Sequence, residues 1–489
     1  MLLAWDAAAV RAAEEPLLAA GAPLMDRAAF GLSVVVAREL RQRRGRVGGA
    51  RVALLVGPGN NGGDALFAGA HLAGRGAAVT AVLAAAHAHD EGLAALRAAG
   101  GRVVRAQDDG PAAARTAAAA DVVLDGLLGI GARGGLRGPA RDLALAVAGA
   151  VPRPLVVAVD VPSGIGVDDG TLPGDVLPAD LVVTFGGAKP GLLLPPAATL
   201  VGRVEVVDVG LALPPERATA SRLRAADVAA AWPVPGVDDH KYSRGVLGVV
   251  AGTRAYPGAA TLVCGAAVHA GVGMVRYLGD VGPAVVAAQP EVVVGEGQVQ
   301  AWTLGPGVDG HDEAQAARIA RALASGLPAV VDAGALPLLP ERLGPHVVLT
   351  PHAGELVRLL AARGVAAERD EVVAAPLAFA RRAHELTGAT VLLKGAVTVV
   401  VGPGAVHVQA EAPAWLATAG AGDVLAGLLG ALLAGRSPDV LAQPPLAARL
   451  AAVAASVHGR AAHAANPGGP VSASAVADAL PATIASLLA

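Results

Sequence analysis

Short runs rich in Val and Leu alternate with Ala/Leu/Arg stretches of helical length along most of this 489-residue chain. The first series of runs covers residues 51–56, 78–83, 102–105, 121–125, 155–160 and 181–185, with helical candidates such as 64–73 and 91–99 between them. Runs that are largely apolar point to a parallel sheet covered on both faces. Strict β-α alternation points to a doubly wound α/β fold. From Leu211 to Asp239 the rhythm breaks, with Pro214, Pro215, Pro233 and Pro235 and a polar stretch around 216–224. That break sets a domain boundary near residues 215–225. A second series follows at 245–251, 302–304, 329–332, 346–350 and 390–394, and it does not read as a repeat of the first.

Composition narrows the function classes. The chain is 54% hydrophobic, enough for sizeable cores, and its net charge is only -3 with no long run of either sign. There is thus no electrostatic reason to expect nucleic acid or an anionic membrane as a partner. The single cysteine, Cys264, excludes an internal disulfide framework and a multi-cysteine metal site. The histidines are scattered, without the HExxH spacing of a zinc site. No apolar stretch reaches the ~18 residues of a membrane span. Asp6, Arg11, Glu14 and Glu15 do not fit a signal peptide, so a cytoplasmic location is expected. Of 38 basic residues only Lys189, Lys241 and Lys394 are lysines. In a chain that uses Arg nearly everywhere, a retained Lys is either chance or a place where a compact ammonium must approach a phosphate.

Polar loops gather at the ends of the first series. Gly57-Pro58-Gly59-Asn60-Asn61-Gly62-Gly63-Asp64 joins a strand to a helix. Glycines there admit a close ligand, and free N–H groups at a helix start suit an anion. A tight β-α turn explains the glycines alone, but not the two asparagines and the aspartate. Asp125 leads into a second glycine-rich loop, and Asp160 into Val161-Pro162-Ser163-Gly164. In an open parallel sheet such ends converge on one pocket.

In the second series, Thr418-Ala419-Gly420-Ala421-Gly422-Asp423 opens a helix over 424–433. The pattern makes an anion hole from backbone N–H groups with a carboxylate beside it, although an Asp there also serves as an N-cap. Lys394 ends a strand and offers a point charge to a phosphate. His352 and Asp332 sit at two further strand ends, where each is equally compatible with a turn role.

The motifs PGNNGGD, DGLLGIG and DVPSG closely resemble the NAD(P)H-hydrate epimerase family, the YjeF N-terminal domain. YPGAA, LGPG, LTPHAGE, LLKGA and ATAGAGD resemble the NAD(P)H-hydrate dehydratase family, the YjeF C-terminal domain. The resemblance implies two domains: a Rossmann-like three-layer α/β/α epimerase over 1–215 and a ribokinase-like α/β dehydratase over 222–489. By resemblance, Asn60, Asn61, Gly62, Gly63, Asp64, Gly129, Ile130, Gly131, Ala132, Arg133, Gly134, Gly135 and Asp160 would contact the hydrated nucleotide. Asn61, Asp125 and Ser163 would hold a potassium ion, an all-oxygen set suited to a hard cation. Ala65 departs from the Gly that many relatives carry after the Asp. In the second domain Ala259, Gly307, His352 and Asp423 would contact the hydrate. Lys394, Gly395, Ala396, Val397, Thr398 and Gly422 would contact ADP or ATP with Mg²⁺. The implied catalytic residues are Asp160 and Asp125, in that order, for epimerisation and Asp423 for dehydration. The implied partners are small molecules, with a homo-oligomer as the expected assembly. Two other readings fit the residues: a ribokinase-like small-molecule kinase for a vitamin precursor or sugar, and an N-terminal half that binds nucleotide without turnover.

Overall fold

A computed structural model describes residues 1–309 and 312–489. The chain divides into two compact units, Leu3–Ala220 and Ser221–Ala489, with Met1 and Leu2 belonging to the second.

The first unit is built on a parallel sheet of seven strands among the described residues: β1 (Arg51–Val56), β2 (Ala78–Leu83), β3 (Arg102–Arg105), β4 (Val122–Gly126), β5 (Leu155–Val159), β6 (Ala179–Phe185) and β7 (Val201–Val207). Their order is β3-β2-β1-β4-β5-β6-β7, with every neighbouring pair parallel. β4 and β5 are buried along their whole length, as a sheet covered on both faces requires. Helix Leu24–Arg44 lays Leu32, Val35, Val36 and Leu40 on the sheet, and helix Asn60–Ala73 adds Leu66 and Leu72. Each such side chain stabilises the fold by about 1.5–3 kcal/mol.

Two expectations are corrected here. The 155–160 run ends at Val159, because Asp160 turns out of the strand with φ 67°. The helix expected from Asp64 begins at Asn60, so Asn60, Asn61, Gly62 and Gly63 form its first turn rather than a loop.

The second unit carries β8 (Val246–Val250), β9 (Met274–Tyr277), β10 (Val293–Val294), β11 (Ala301–Leu304), β12 (Ala329–Val331), β13 (Val347–Leu349), β14 (Thr390–Leu393), β15 (Thr398–Gly402) and β16 (Ala405–Gln409). They run in the order β16-β15-β14-β13-β12-β11-β8-β9-β10. The sheet is parallel from β10 to β14 and turns antiparallel through β15 and β16. Helix Ala421–Gly435 is buried at every position from Val424 to Ala434, so buried residues lie all round it, as in a helix enclosed by the core. No single helix among the described residues is long and apolar enough to cross a membrane.

Candidate active sites

The first site lies where the strand order of the N-terminal sheet reverses. β1 and β4 are neighbours, with Val56 opposite Gly126, and the chain leaves them in opposite directions, which opens a crevice. The turn after β1 is only Gly57-Pro58-Gly59. A Cβ on Gly57 would stand 1.9 Å from the Leu127 carbonyl oxygen, so only glycine lets the two turns touch. Gly59 caps helix Asn60–Ala73 without a side-chain hydrogen bond. The N–H groups of Asn60, Asn61 and Gly62 therefore lack intrahelical partners and suit an anion.

A cavity of about 540 Å³ fills the crevice. Of the residues singled out by sequence, Asn60, Asn61, Asp64, Gly129, Ile130, Gly131, Ala132 and Asp160 line it. Gly62, Gly63, Arg133, Gly134 and Gly135 are not among its lining residues. Gly62 instead packs on the Gly57 carbonyl and Gly135 on Gly174.

Asp160 holds its left-handed φ of 67° at a cost on the order of 1–3 kcal/mol. Its Oδ1 accepts from Thr184 Oγ1 at 2.9 Å and from the Phe185 N–H at 3.1 Å, and it pairs with Lys189 Nζ. Lys189 is 1% exposed. Its ammonium also donates to Thr184 Oγ1 at 3.0 Å and to the Phe185 carbonyl at 3.1 Å, so its three protons are spent inside this cluster.

Asp125 is fully buried and is not among the lining residues. Ser163 Oγ donates to its Oδ1 at 2.6 Å, the Ser163 N–H to its Oδ2 at 2.9 Å and the Leu127 N–H to its Oδ1 at 3.3 Å. Burial pushes the Asp125 carboxyl up, against the bonds from Ser163 and Leu127. The Leu128 N–H donates to Ser163 Oγ at 2.9 Å, and Asn61 Nδ2 donates to the Leu128 and Val159 carbonyls at 3.2 and 2.6 Å. Asn61 and Ser163 thus both bond Leu128, and Asp125 is tied to it through Ser163.

Helix Ala7–Ala19 adds two cavity residues that the sequence did not flag. Arg11 donates to the Ile130 carbonyl at 3.1 Å, and Glu14 has its carboxyl pushed up by burial. Lys189 was visible only through the scarcity of lysine.

The second site is at the N-terminus of helix Ala421–Gly435. Gly420 caps it with φ 86° and no side-chain bond, a conformation that favours glycine. Asp423 is the third residue of the helix. Lys394, just past β14, reaches Asp332 Oδ1 at 2.7 Å and Glu355 Oε2 at 3.7 Å. Thr350 Oγ1 donates to the same Asp332 oxygen at 2.8 Å. A Cβ on Gly422 would be 3.3 Å from Lys394 Nζ and 3.7 Å from Asp332 Oδ2, so the ammonium lies against the anion-hole peptide. Burial pushes the Asp423 carboxyl up to about 6, helped by Asp332 and opposed by Lys394.

The other residues singled out in this unit divide. Ala259 and Gly307 meet, since a Cβ on Gly307 would stand 2.5 Å from that of Ala259. His352 is joined to Lys394 by a β-bridge and caps helix Ala353–Ala361. Its Nδ1 accepts from the Gly354 and Glu355 N–H groups at 3.1 and 3.3 Å, while its own N–H donates to Glu355. Gly395, Ala396 and Val397 form the turn between β14 and β15, with Thr398 opening β15; Gly395 and Ala396 are exposed and Val397 is buried. Asp332 and Glu355 complete the cluster. Sequence marked Asp332 only as ambiguous and Glu355 only as part of its segment.

Comparison with known proteins covers both units. Residues 21–191 match the family model described as YjeF-related protein N-terminus, and 247–481 match that described as NAD(P)H-hydrate dehydratase. The chain is 46% identical over 447 residues to the bifunctional NAD(P)H-hydrate repair enzyme Nnr of Mycobacterium tuberculosis, covering 88% of this chain and 89% of that protein. It is 45% identical over 482 residues to the protein of the same description from Mycobacterium leprae, covering 95% and 94%. Among solved structures, the ADP/ATP-dependent NAD(P)H-hydrate dehydratase of Bacillus subtilis, co-crystallised with ATP/Mg²⁺, aligns with a TM-score of 0.47 at 27% identity, covering 54% of this chain and 97% of that one.

Proposed function

The chain belongs to the family of bifunctional NAD(P)H-hydrate repair enzymes, and from that premise we propose how its two halves divide the work. The first, over residues 1–215, interconverts the R and S forms of hydrated NADH and NADPH. The second, over 222–489, returns the S form to NAD(P)H at the expense of ADP or ATP and releases phosphate. A dehydratase selective for one epimer needs the other resupplied, which is the chemical sense of joining them.

The observation that carries this reading is Asp423 on a helix N-terminus that no side chain caps, beside the Lys394–Asp332 pair. Hydroxide is a poor leaving group and phosphate a good one. Asp423 takes the proton of the hydrate hydroxyl as that oxygen attacks the terminal phosphoryl group. Lys394 and the amides of Gly420, Ala421 and Gly422 stabilise the charge that develops. Phosphate then leaves with help from the ring nitrogen, and loss of a ring proton restores the dihydronicotinamide. Mg²⁺ on the nucleotide would neutralise phosphate charge, and Asp332 and Glu355 are the oxygen donors at this rim that suit it.

In the first half, Asp160 faces the cavity and is the first proton-transfer group. Asp125 is buried with no cationic side chain among the groups acting on it. It therefore fits a monovalent cation better than proton exchange with substrate. K⁺ would be held by Asp125, Ser163 and Asn61 and would supply the positive charge that this carboxylate lacks.

The test is to incubate the protein with each epimer of hydrated NADH plus ADP or ATP. Free phosphate and a recovered NADH band are expected. A stable phosphorylated product would instead mark a small-molecule kinase.

A further inference from the structure

Lys189 has no proton left for a second carboxylate, yet Asp64 and Glu14 line the same cavity as Asp160. Asp64 is the fifth residue of helix Asn60–Ala73 and only 7% exposed. Among the described residues no donor lies within hydrogen-bond distance of its carboxyl group, whereas the Asp160 carboxylate has three. The charged groups that face it are Asp160, Glu14 from helix Ala7–Ala19, and Lys189. Arg11 acts on Glu14.

We propose that Asp64 is the general acid of the epimerisation, working with Asp160 as the base. The proposal rests on the epimerase reading of this domain and adds the residue that delivers the proton. Burial holds the Asp64 carboxyl well above the ordinary carboxylate range; Asp160 and Glu14 reinforce this, and Lys189 only partly offsets it. Asp160, by contrast, is held by its ammonium partner and by two further hydrogen bonds. Two carboxyl groups in one pocket with contrasting surroundings, one bonded by three donors and the other by none, suit separate acid and base roles.

Asp64 gives its proton to the hydroxyl oxygen on the hydrated ring carbon. The C–O bond breaks with its electron pair going to oxygen, which leaves as water, while the ring-nitrogen lone pair forms the C=N bond of an iminium. Water adds to the opposite face of that carbon, the C=N pair returns to nitrogen, and Asp160 takes the proton that the water sheds. One proton has passed from Asp64 to Asp160, and exchange with solvent restores it.

The experiment uses the full chain with a single epimer of hydrated NADH and no adenine nucleotide, followed by chiral chromatography. Asp64→Asn should lower kcat for interconversion by about 100-fold or more with KM changed by only about a fewfold. It should not lower Tm, because it removes an unpaired buried acid. Asp64→Glu should recover part of the rate and move the alkaline limb of the pH profile, a response that a purely structural role would not produce. An active wild type with an Asp64→Asn kcat within about threefold of it, or an Asp64→Glu profile with an unmoved limb, overturns the proposal alone. A wild type that interconverts neither epimer overturns the epimerase reading and the proposal with it.

Discussion

Each half of the chain sets a lysine against an aspartate at the carboxyl-end rim of a parallel sheet, and the two pairs are prepared for different work. Lys189 is sealed at 1% exposure and spends its donors on Asp160, Thr184 and the Phe185 carbonyl. It is a fixed, buried counter-ion of one cavity carboxylate. Lys394 is 22% exposed and touches Asp332 at 2.7 Å while lying against the Gly422 peptide. It retains solvent-facing capacity for an incoming phosphate, beside N–H groups that also await an anion. On the proposed reading, one such pair holds a proton-transfer group and the other meets phosphoryl charge, and the two differ in burial.

The largest effect that bears on this contrast is Asp423→Asn. It should lower dehydration by about 10²–10⁴-fold and leave R-to-S interconversion intact, as measured by NADH recovery and by chiral chromatography. Near-normal dehydration would refute the role of Asp423. Next comes the asymmetry of the lysines. Lys189→Met strands the buried Asp160 charge and should cost about 3–5 kcal/mol of stability, read by urea unfolding. Lys394→Met should cost less and act chiefly on nucleotide turnover. Equal stability losses would remove the distinction between counter-ion and ligand group. A third test is pH. With its carboxyl pushed up to about 6, Asp423 acts as a base only when ionised. Dehydratase kcat/KM should therefore fall about tenfold per unit as pH drops below that value, and epimerisation should not share this limb. A pH-independent dehydratase between pH values of about 5 and 7 would contradict the assignment. The smallest effect is that of the cation. Replacing K⁺ by choline should slow epimerisation and lower stability by about 1–3 kcal/mol at saturating ion, and Ser163→Ala should blunt both responses. An identical Tm in the two salts would argue against a site at Asp125.

What could be read from sequence followed from locality. The strands at Arg51–Val56, Ala78–Leu83 and Arg102–Arg105 were legible to the residue, each a short Val-rich run between polar or glycine punctuation. β7 escaped because Gly202, Arg203 and Val206 are exposed, and an edge strand does not look like a buried run. β15 and β16 escaped because the runs read from sequence stop at 390–394, and the hairpin turned at Gly404 follows with only a short turn between. The start of helix Asn60–Ala73 was misplaced because Gly62 and Gly63 are poor helix formers, tolerated here for their close packing. The motif residues of both sites were legible. The pairings were not: Asp160 meets Lys189 across 29 residues and Asp332 meets Lys394 across 62. Such contacts are set by strand order rather than by local pattern.

The most direct test supplies the R epimer of hydrated NADH alone, with ADP or ATP, to the intact chain and to the Asp160→Asn and Asp423→Asn variants. Full recovery of NADH from the intact chain is predicted. Asp160→Asn should leave the R form in place, and Asp423→Asn should leave a mixture of R and S with no NADH. Recovery from R in either variant at the rate of the intact chain would contradict two sites acting in sequence.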